Sequence, residues 1–216
     1  TDMGVNMAGF CIMDDEACCE ASKQEIIRRY YHALNRLAKE EGTSDEVYKI
    51  NLLMNKAKID STMRPVIAPC LERAKVSGGP AAAMELDDGT IVTGKTSSLL
   101  GASAALLLNA IKVLGDIPHN VHLIAPSAIE PIQTVKVKYL GSNNPRLHSD
   151  EVLIALAASA NLDPKAQAAL HSLAALNGCQ AHCSVILSPP DESTYKKLGL
   201  QLTCEPQYQT NNLYHR

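Results

Sequence analysis

Lys95 stands in the run Gly89-Thr90-Ile91-Val92-Thr93-Gly94-Lys95-Thr96, which spells the P-loop pattern of a glycine, four residues and Gly-Lys-Thr. In a loop of that kind a strand ends at the first glycine. The four intervening residues then curl so that their backbone N–H groups cradle a phosphate. Here the first glycine closes Asp87-Asp88-Gly89, a hairpin-turn signal, and the four residues after it are strand formers. No apolar run ending in Asp follows to supply a magnesium partner. The pattern reads as a turn, a strand and a Gly-Lys-Thr at the strand's end, and not as a P-loop.

The junction keeps a chemistry of its own. Gly94-Lys95-Thr96-Ser97-Ser98 leads into Leu99 to Leu108, which is helical in composition, so a helix is predicted from Ser97 to Leu114. Free N–H groups and the helix dipole at such a start attract anions. Gly94, Lys95, Thr96 and Ser97 are therefore the candidate phosphate- or anion-binding residues, with Lys95 neutralising charge and Thr96 and Ser97 donating hydrogen bonds. The plainer alternative makes Thr96 or Ser97 an N-cap and Lys95 a solvated charge.

A second cluster lies at Asn144-Pro145-Arg146-Leu147-His148-Ser149-Asp150-Glu151. Arg146 has the guanidinium fork that holds an anionic group, and His148 can exchange a proton near neutral pH, so these two are the candidate catalytic residues. The plainer reading has Ser149 capping a helix whose dipole Asp150 and Glu151 complement. Cys179, His182 and Cys183 invite a zinc reading. On a strand, however, the two cysteines stand about 13 Å apart at about 3.3 Å per residue, and His182 faces the other way. His119 and His122 have no glutamate at metalloprotease spacing, and His-Glu-x-x-His occurs nowhere. No metal site is expected. Asn6, Cys11, Asp14 and Asp15 form a polar cluster or an ordinary helix entry. The vicinal Cys18-Cys19 pair is poorly placed for a disulfide on a helix.

The elements that must position these groups follow from periodicity and punctuation. Ser22-Lys23-Gln24-Glu25 and Thr43-Ser44-Asp45-Glu46 spell capping boxes, each opening a helix, and a shorter helix is predicted from Pro65 to Lys75. Ala81–Glu85 and Thr90–Thr93 read as a hairpin. Val121–Ile124 reads as a buried strand, and Ser127-Ala128-Ile129-Glu130 as a third capping box. Helices are expected from Ser149 to Ala160 and from Asp163-Pro164 to near Asn177. Cys179–Leu187 and Leu200–Cys204 read as strands around a helix from Asp191 to Leu198. The expected fold is α/β: a mixed sheet with a hairpin, flanked by helices and preceded by a mostly helical N-terminal segment. The division expected is 1–78 helical, 79–206 mixed α/β and 207–216 a frayed tail.

Composition narrows the function. The chain has 216 residues, is 46% hydrophobic, and carries 20 basic and 23 acidic residues for a net charge of −3. Without a basic block, a tryptophan or more than one phenylalanine, it lacks the means to track and stack nucleic acid. No stretch is long and apolar enough for a membrane span. Seven irregularly spaced cysteines and no signal sequence point to reduced thiols in the cytoplasm.

Several long motifs together, Met3–Gly9, Ala21–Tyr31, Asp88–Thr96, Asn144–His148 and Gln201–Pro206, resemble an uncharacterised bacterial family of unknown function. Its members have sometimes been labelled putative ATP-dependent zinc proteases. The resemblance implies that this chain is the carboxy-terminal part of a longer protein whose missing N-terminal part, with its own glycine-rich loop, is a partner in function. It supplies no activity and no site residues. The protease label finds no support in a chain without His-Glu-x-x-His.

The expectation is a domain that binds a phosphate-bearing small molecule at the Thr93–Ser98 junction, within a larger metabolic enzyme. The alternative is a structural or oligomerisation domain, possible as a homo-oligomer through alanine-rich helices such as Ala102–Ala110 and Ala155–Ala160. Whether the chain is an enzyme, and which cofactor it takes, stay open.

Overall fold

The computed structural model describes residues 15–209. The chain divides into two compact units, Thr1–Arg64 and Pro65–Arg216. The first is helical: α1 (Asp15–Ala38), α2 (Ser44–Ala57) and a 3-10 turn over Ser61–Met63. Thr43 caps α2 as its sequence predicts, its hydroxyl accepting from Glu46 N at 3.3 Å. Ser22 caps nothing. It sits inside α1, where its Oγ donates to Cys18 O at 2.8 Å, because the helix has already begun at Asp15. The Asn6, Cys11 and Asp14 part of the polar cluster lies outside the described residues.

The second unit contains α3 (Ile67–Ser77), β1 (Ala81–Glu85), β2 (Ile91–Lys95), α4 (Ala102–Leu114), α5 (Pro126–Thr134), α6 (Ser149–Ala160), α7 (Pro164–His171), β3 (Gln180–Cys183), α8 (Pro189–Lys197) and β4 (Gln201–Cys204). The strands form one sheet in the order β2-β1-β3-β4, with β1 antiparallel to both β2 and β3, and β3 parallel to β4. This is the mixed α/β sheet with a hairpin that the sequence predicts. Gly89, at φ +81°, makes the hairpin turn, and Gly78, at φ +66°, ends α3.

Apolar residues from all layers form the core, among them Met84, Leu106, Leu107, Ile111, Leu147, Leu156, Leu176 and Tyr195. Three alanines of α4 belong to it, Ala102, Ala104 and Ala110, the last two with no exposed surface. A small residue on the strand side matches them. An added Cβ on Gly94 would lie 2.6 Å from Leu106 Cα, so β2 and α4 pack backbone to backbone at that point.

Several local expectations change. Helix α4 begins at Ala102, with Gly101 as its N-cap, and not at Ser97. The intervening residues form a loop whose Leu100 bridges to Leu147. That pairing holds Leu99–Gly101 extended, through Leu147 N to Leu99 O at 2.9 Å and Gly101 N to Leu147 O at 3.2 Å. Val121–Ile124 is not a strand but a connection whose Leu123 and Ile124 are buried. Apolar character alone does not distinguish the two. Ala125 precedes α5 and Pro126 takes its first turn, which displaces Ser127 from the cap. A π-helical turn over Val135–Tyr139 extends α5. Strand β3 ends at Cys183, because the chain leaves the sheet towards α8.

Candidate functional site

Strand β3 lies between β1, to which it is antiparallel, and β4, to which it is parallel. From β1 the chain returns to β2 on one side, and from β3 it crosses through α8 to β4 on the other. The carboxyl end of β3 and the amino end of β1 lie at the same end of the sheet. At that end Ser184 fixes the two strands. Its N donates to Ala81 O at 2.9 Å, and its Oγ accepts from Ala81 N at 3.0 Å. Thr96 N, just past β2, donates to Pro80 O at 2.9 Å on the same edge.

Three helices also begin here. Gly101 precedes α4, His148 precedes α6 and Ser188 precedes α8. Their first turns meet on one carboxylate, Asp191, which is 5% exposed. Asp191 Oδ1 accepts from Ser103 Oγ at 2.9 Å, Ser149 N at 2.8 Å and Ser149 Oγ at 2.6 Å. Oδ2 faces His148 Nδ1 at 2.8 Å and accepts from Ser188 Oγ at 2.6 Å. Burial by itself raises the carboxyl's pKa. The hydrogen bonds and charge of His148, with the hydroxyls of Ser149 and Ser188, outweigh it and hold Asp191 well below the usual carboxylate range. The three helix N-termini act in the same direction.

A narrow cleft of about 20 Å³ lies above this carboxylate, lined among others by Thr96, Ser103, Asn144, Arg146, His148 and Ser188. The loop that carries Arg146 and His148 is fixed from several sides. Asn144 Oδ1 accepts from Arg146 N at 3.1 Å, and Glu151 Oε2 accepts from His148 N at 2.7 Å. Lys136, 6% exposed on the π-helical turn, donates from Nζ to Arg146 O and to Glu151 Oε2, both at 2.7 Å. Arg146 Nε donates to Ser97 O at 2.8 Å, which joins this loop to the one before α4. Among the described residues Arg146 forms no ion pair.

The sequence candidates separate accordingly. Thr96, Arg146 and His148 come together on the cleft wall. Gly94 packs beneath α4, and Lys95 is exposed at the end of β2. Ser97 is not in a helical first turn: its Oγ accepts from Leu99 N at 3.2 Å and Leu100 N at 3.1 Å within the loop. Ser149 is not the cap of α6 either. His148 holds that position, and the Ser149 hydroxyl reaches Asp191 instead. Asp191, Ser103 and Ser188 are absent from the sequence candidates. The one local signal for them is Ser188-Pro-Pro-Asp191, a cap residue, first-turn prolines and an acid three places on.

His182 and the cysteines have structural surroundings. His182 is fully buried, with Nδ1 2.8 Å from Thr203 Oγ1 and Nε2 3.1 Å from Glu205 Oε1. Cys183 pairs in register with Cys204 on the neighbouring strand. Burial pushes the Cys70 thiol up to about 12, which makes it inert. Among the described residues no group of three or more His, Cys, Asp or Glu side chains is arranged to hold a metal ion. Among the same residues no helix is long and apolar enough to cross a membrane.

Comparison with known proteins agrees with the motif resemblance. The family model "Domain of unknown function DUF1846, C-terminal" matches residues 62–214, and its N-terminal counterpart matches residues 1–58. The chain belongs to the DUF1846 family. It is 53% identical over 206 residues to a UPF0371 protein of Corynebacterium aurimucosum, covering 95% of this chain and 41% of the relative. It is 50% identical over 216 residues to UPF0371 proteins of Corynebacterium urealyticum and Streptococcus pneumoniae, covering all of this chain and 44% of each. This DUF1846 chain thus spans less than half the length of these curated relatives. Because it matches both family models, the expectation that it is a carboxy-terminal part alone is corrected. Neither model description nor relative's name carries a protease label.

Proposed function

We propose that the cleft is an acid–base site for a small anionic molecule. His148 acts through Nε2 as the proton-transferring group, and Arg146 holds the anion. The observation that carries this reading is the His148 Nδ1–Asp191 contact on the wall of a cleft that Arg146 shares. A carboxylate accepting from Nδ1–H fixes the ring and tautomer and leaves Nε2 as the basic nitrogen. Arg146 anchors one guanidinium N–H on Ser97 O, and its remaining donors suit the oxygens of a phosphate or carboxylate. Thr96 adds a hydroxyl on the same wall.

The serines define the reaction class by what they do not do. Ser103, Ser149 and Ser188 each donate their hydroxyl proton to Asp191, so none is set up as a nucleophile activated by His148 Nε2. The chemistry this arrangement favours is proton transfer on a bound molecule and not acyl transfer through a serine. The free cysteines among the described residues suit a reducing, cytoplasmic setting.

Calorimetric titration with inorganic phosphate and with succinate tests the reading. Saturable binding of one of these anions, weakened about tenfold or more in Arg146→Ala, is the expected result. Absence of binding by either anion, or affinity untouched by the substitution, removes it.

A further inference from the structure

We infer that a separate pocket between α4 and α5 binds an apolar monocarboxylate, whose carboxylate pairs with Lys112. The pocket encloses about 210 Å³. Its walls are mostly apolar: Leu99 and Leu100 from the loop before α4, Leu108 from α4, Leu123 and Ile124 from the connection after it, and Ile129 from α5. None of its lining residues lines the His148 cleft, so the inference does not rest on the acid–base reading. Hydrogen bonds hold the walls in place. The pairing with Leu147 keeps Leu99 and Leu100 extended, and Gln133 Nε2 of α5 donates to Ser98 O at 3.2 Å. Asn109 Nδ2 of α4 donates to Thr93 O at 2.9 Å.

One face of α4 supplies the charge that selects the ligand. Ala105, Leu108 and Lys112 recur at helical spacing and all line the pocket, so an ammonium stands among apolar side chains. Lys112 Nζ donates to His119 O at 3.1 Å. Among the described residues that carbonyl is its sole partner, which leaves two of the ammonium's three donors for a ligand. Partial burial lowers the Lys112 pKa, and no carboxylate stands beside it to oppose the shift. The exposed His122 lines the same pocket. Apolar walls with an uncompensated cation call for an anion attached to an apolar body. The body removes the walls from water, and the anion supplies the missing partner. A single ammonium balances the single charge of a carboxylate, whereas a phosphate monoester brings close to two. Size limits the body: a cavity of about 150 Å³ takes benzene, so this one takes a body of about eight to ten carbons.

Calorimetry with octanoate and 3-phenylpropionate, each against the alcohol and the amine of the same skeleton, tests the inference. At least one acid is expected to bind about tenfold or more tightly than its alcohol and its amine. Binding of octanoate alone marks the body as a chain, and of 3-phenylpropionate alone as a ring. Lys112→Met should erase the advantage of the acid over the alcohol. Ala105→Phe, which fills the pocket from α4, should abolish binding of the acid. Equal affinity for acid and amine, or an advantage that survives in Lys112→Met, overturns the pairing with Lys112. Failure of both acids to bind overturns the site. On the unaltered chain, nuclear Overhauser contacts from the bound acid to the methyl groups of Leu108, Leu123 and Ile129 are expected. Contacts only to methyl groups elsewhere overturn the location, whether or not either variant folds.

Discussion

His148 Nδ1 and Asp191 Oδ2 meet at 2.8 Å although the two residues are 43 positions apart, one preceding α6 and the other in the first turn of α8. The same carboxylate receives a serine hydroxyl from α4, another from α6 and a third from the cap of α8. Asp191 is thus both the partner that orients a candidate catalytic imidazole and the bolt that holds three helix starts at one sheet edge.

Asp191→Asn is expected to destabilise the chain at pH 7 by about 3 kcal/mol, since it removes the buried charge that the donors around it require. Asp191 is depressed from its ordinary value of 3.8 in the folded state. Its contribution is therefore complete above about pH 4 and is lost as pH falls towards the lower folded value. Urea unfolding of both proteins from pH 7 to pH 2.5 should show the difference shrinking on the acid side. A difference that stays constant with pH would mean that the charge of Asp191 is not what stabilises the fold.

The neutral His148 ring is expected to carry its proton on Nδ1, facing Asp191. Nitrogen-15 NMR of the imidazole distinguishes the tautomers directly. In Asp191→Ala the preference should relax towards a mixture, with Ser188 the remaining neighbour of Nδ1 at 3.1 Å. Finding Nε2–H as the dominant neutral form of the unaltered chain would remove the basic nitrogen from the cleft.

Lys136→Met should cost about 3–5 kcal/mol, because it leaves Glu151 and the Arg146 carbonyl without their buried ammonium partner. The Arg146–His148 loop should also loosen. Hydrogen exchange at His148 N, which bonds to the same Glu151 oxygen, is expected to accelerate more than exchange in the sheet. Uniform acceleration across the unit would mean that Lys136 supports the fold generally and not this loop.

Gly94→Ala tests whether the glycine of the Gly-Lys-Thr run serves packing. Its added Cβ meets the α4 backbone at Leu106 and Ala102, which no rotamer change relieves, so a loss of about 1–3 kcal/mol is expected. Gly101→Ala is the control. Its Cβ would find its nearest neighbour at 3.7 Å, and its loss should be smaller. Equal denaturation midpoints for Gly94→Ala and the unaltered chain would contradict the close strand–helix contact.

The sequence by itself determined the elements wherever a short-range rule governs them. Asp87-Asp88-Gly89 forces the hairpin because glycine readily takes φ +81°, Thr43 caps α2 through its own hydroxyl, and Asp163-Pro164 opens α7. These are decided within a few residues, and so are legible in them. Arg146 and His148 were legible as candidates for the same reason, because a guanidinium fork and an imidazole that titrates near neutral pH are properties of the residue types themselves. Tertiary structure alone decided what those groups work with. The pairing of Leu100 with Leu147 holds the residues before α4 extended and moves the helix start five residues past the predicted Ser97, away from Lys95. It also brings Arg146 to Ser97. The meeting of His148 with Asp191, Ser103 and Ser188 depends on where three helices begin against the sheet. No local pattern encodes a distance between residues so far apart along the chain, because packing of the core beneath them sets it.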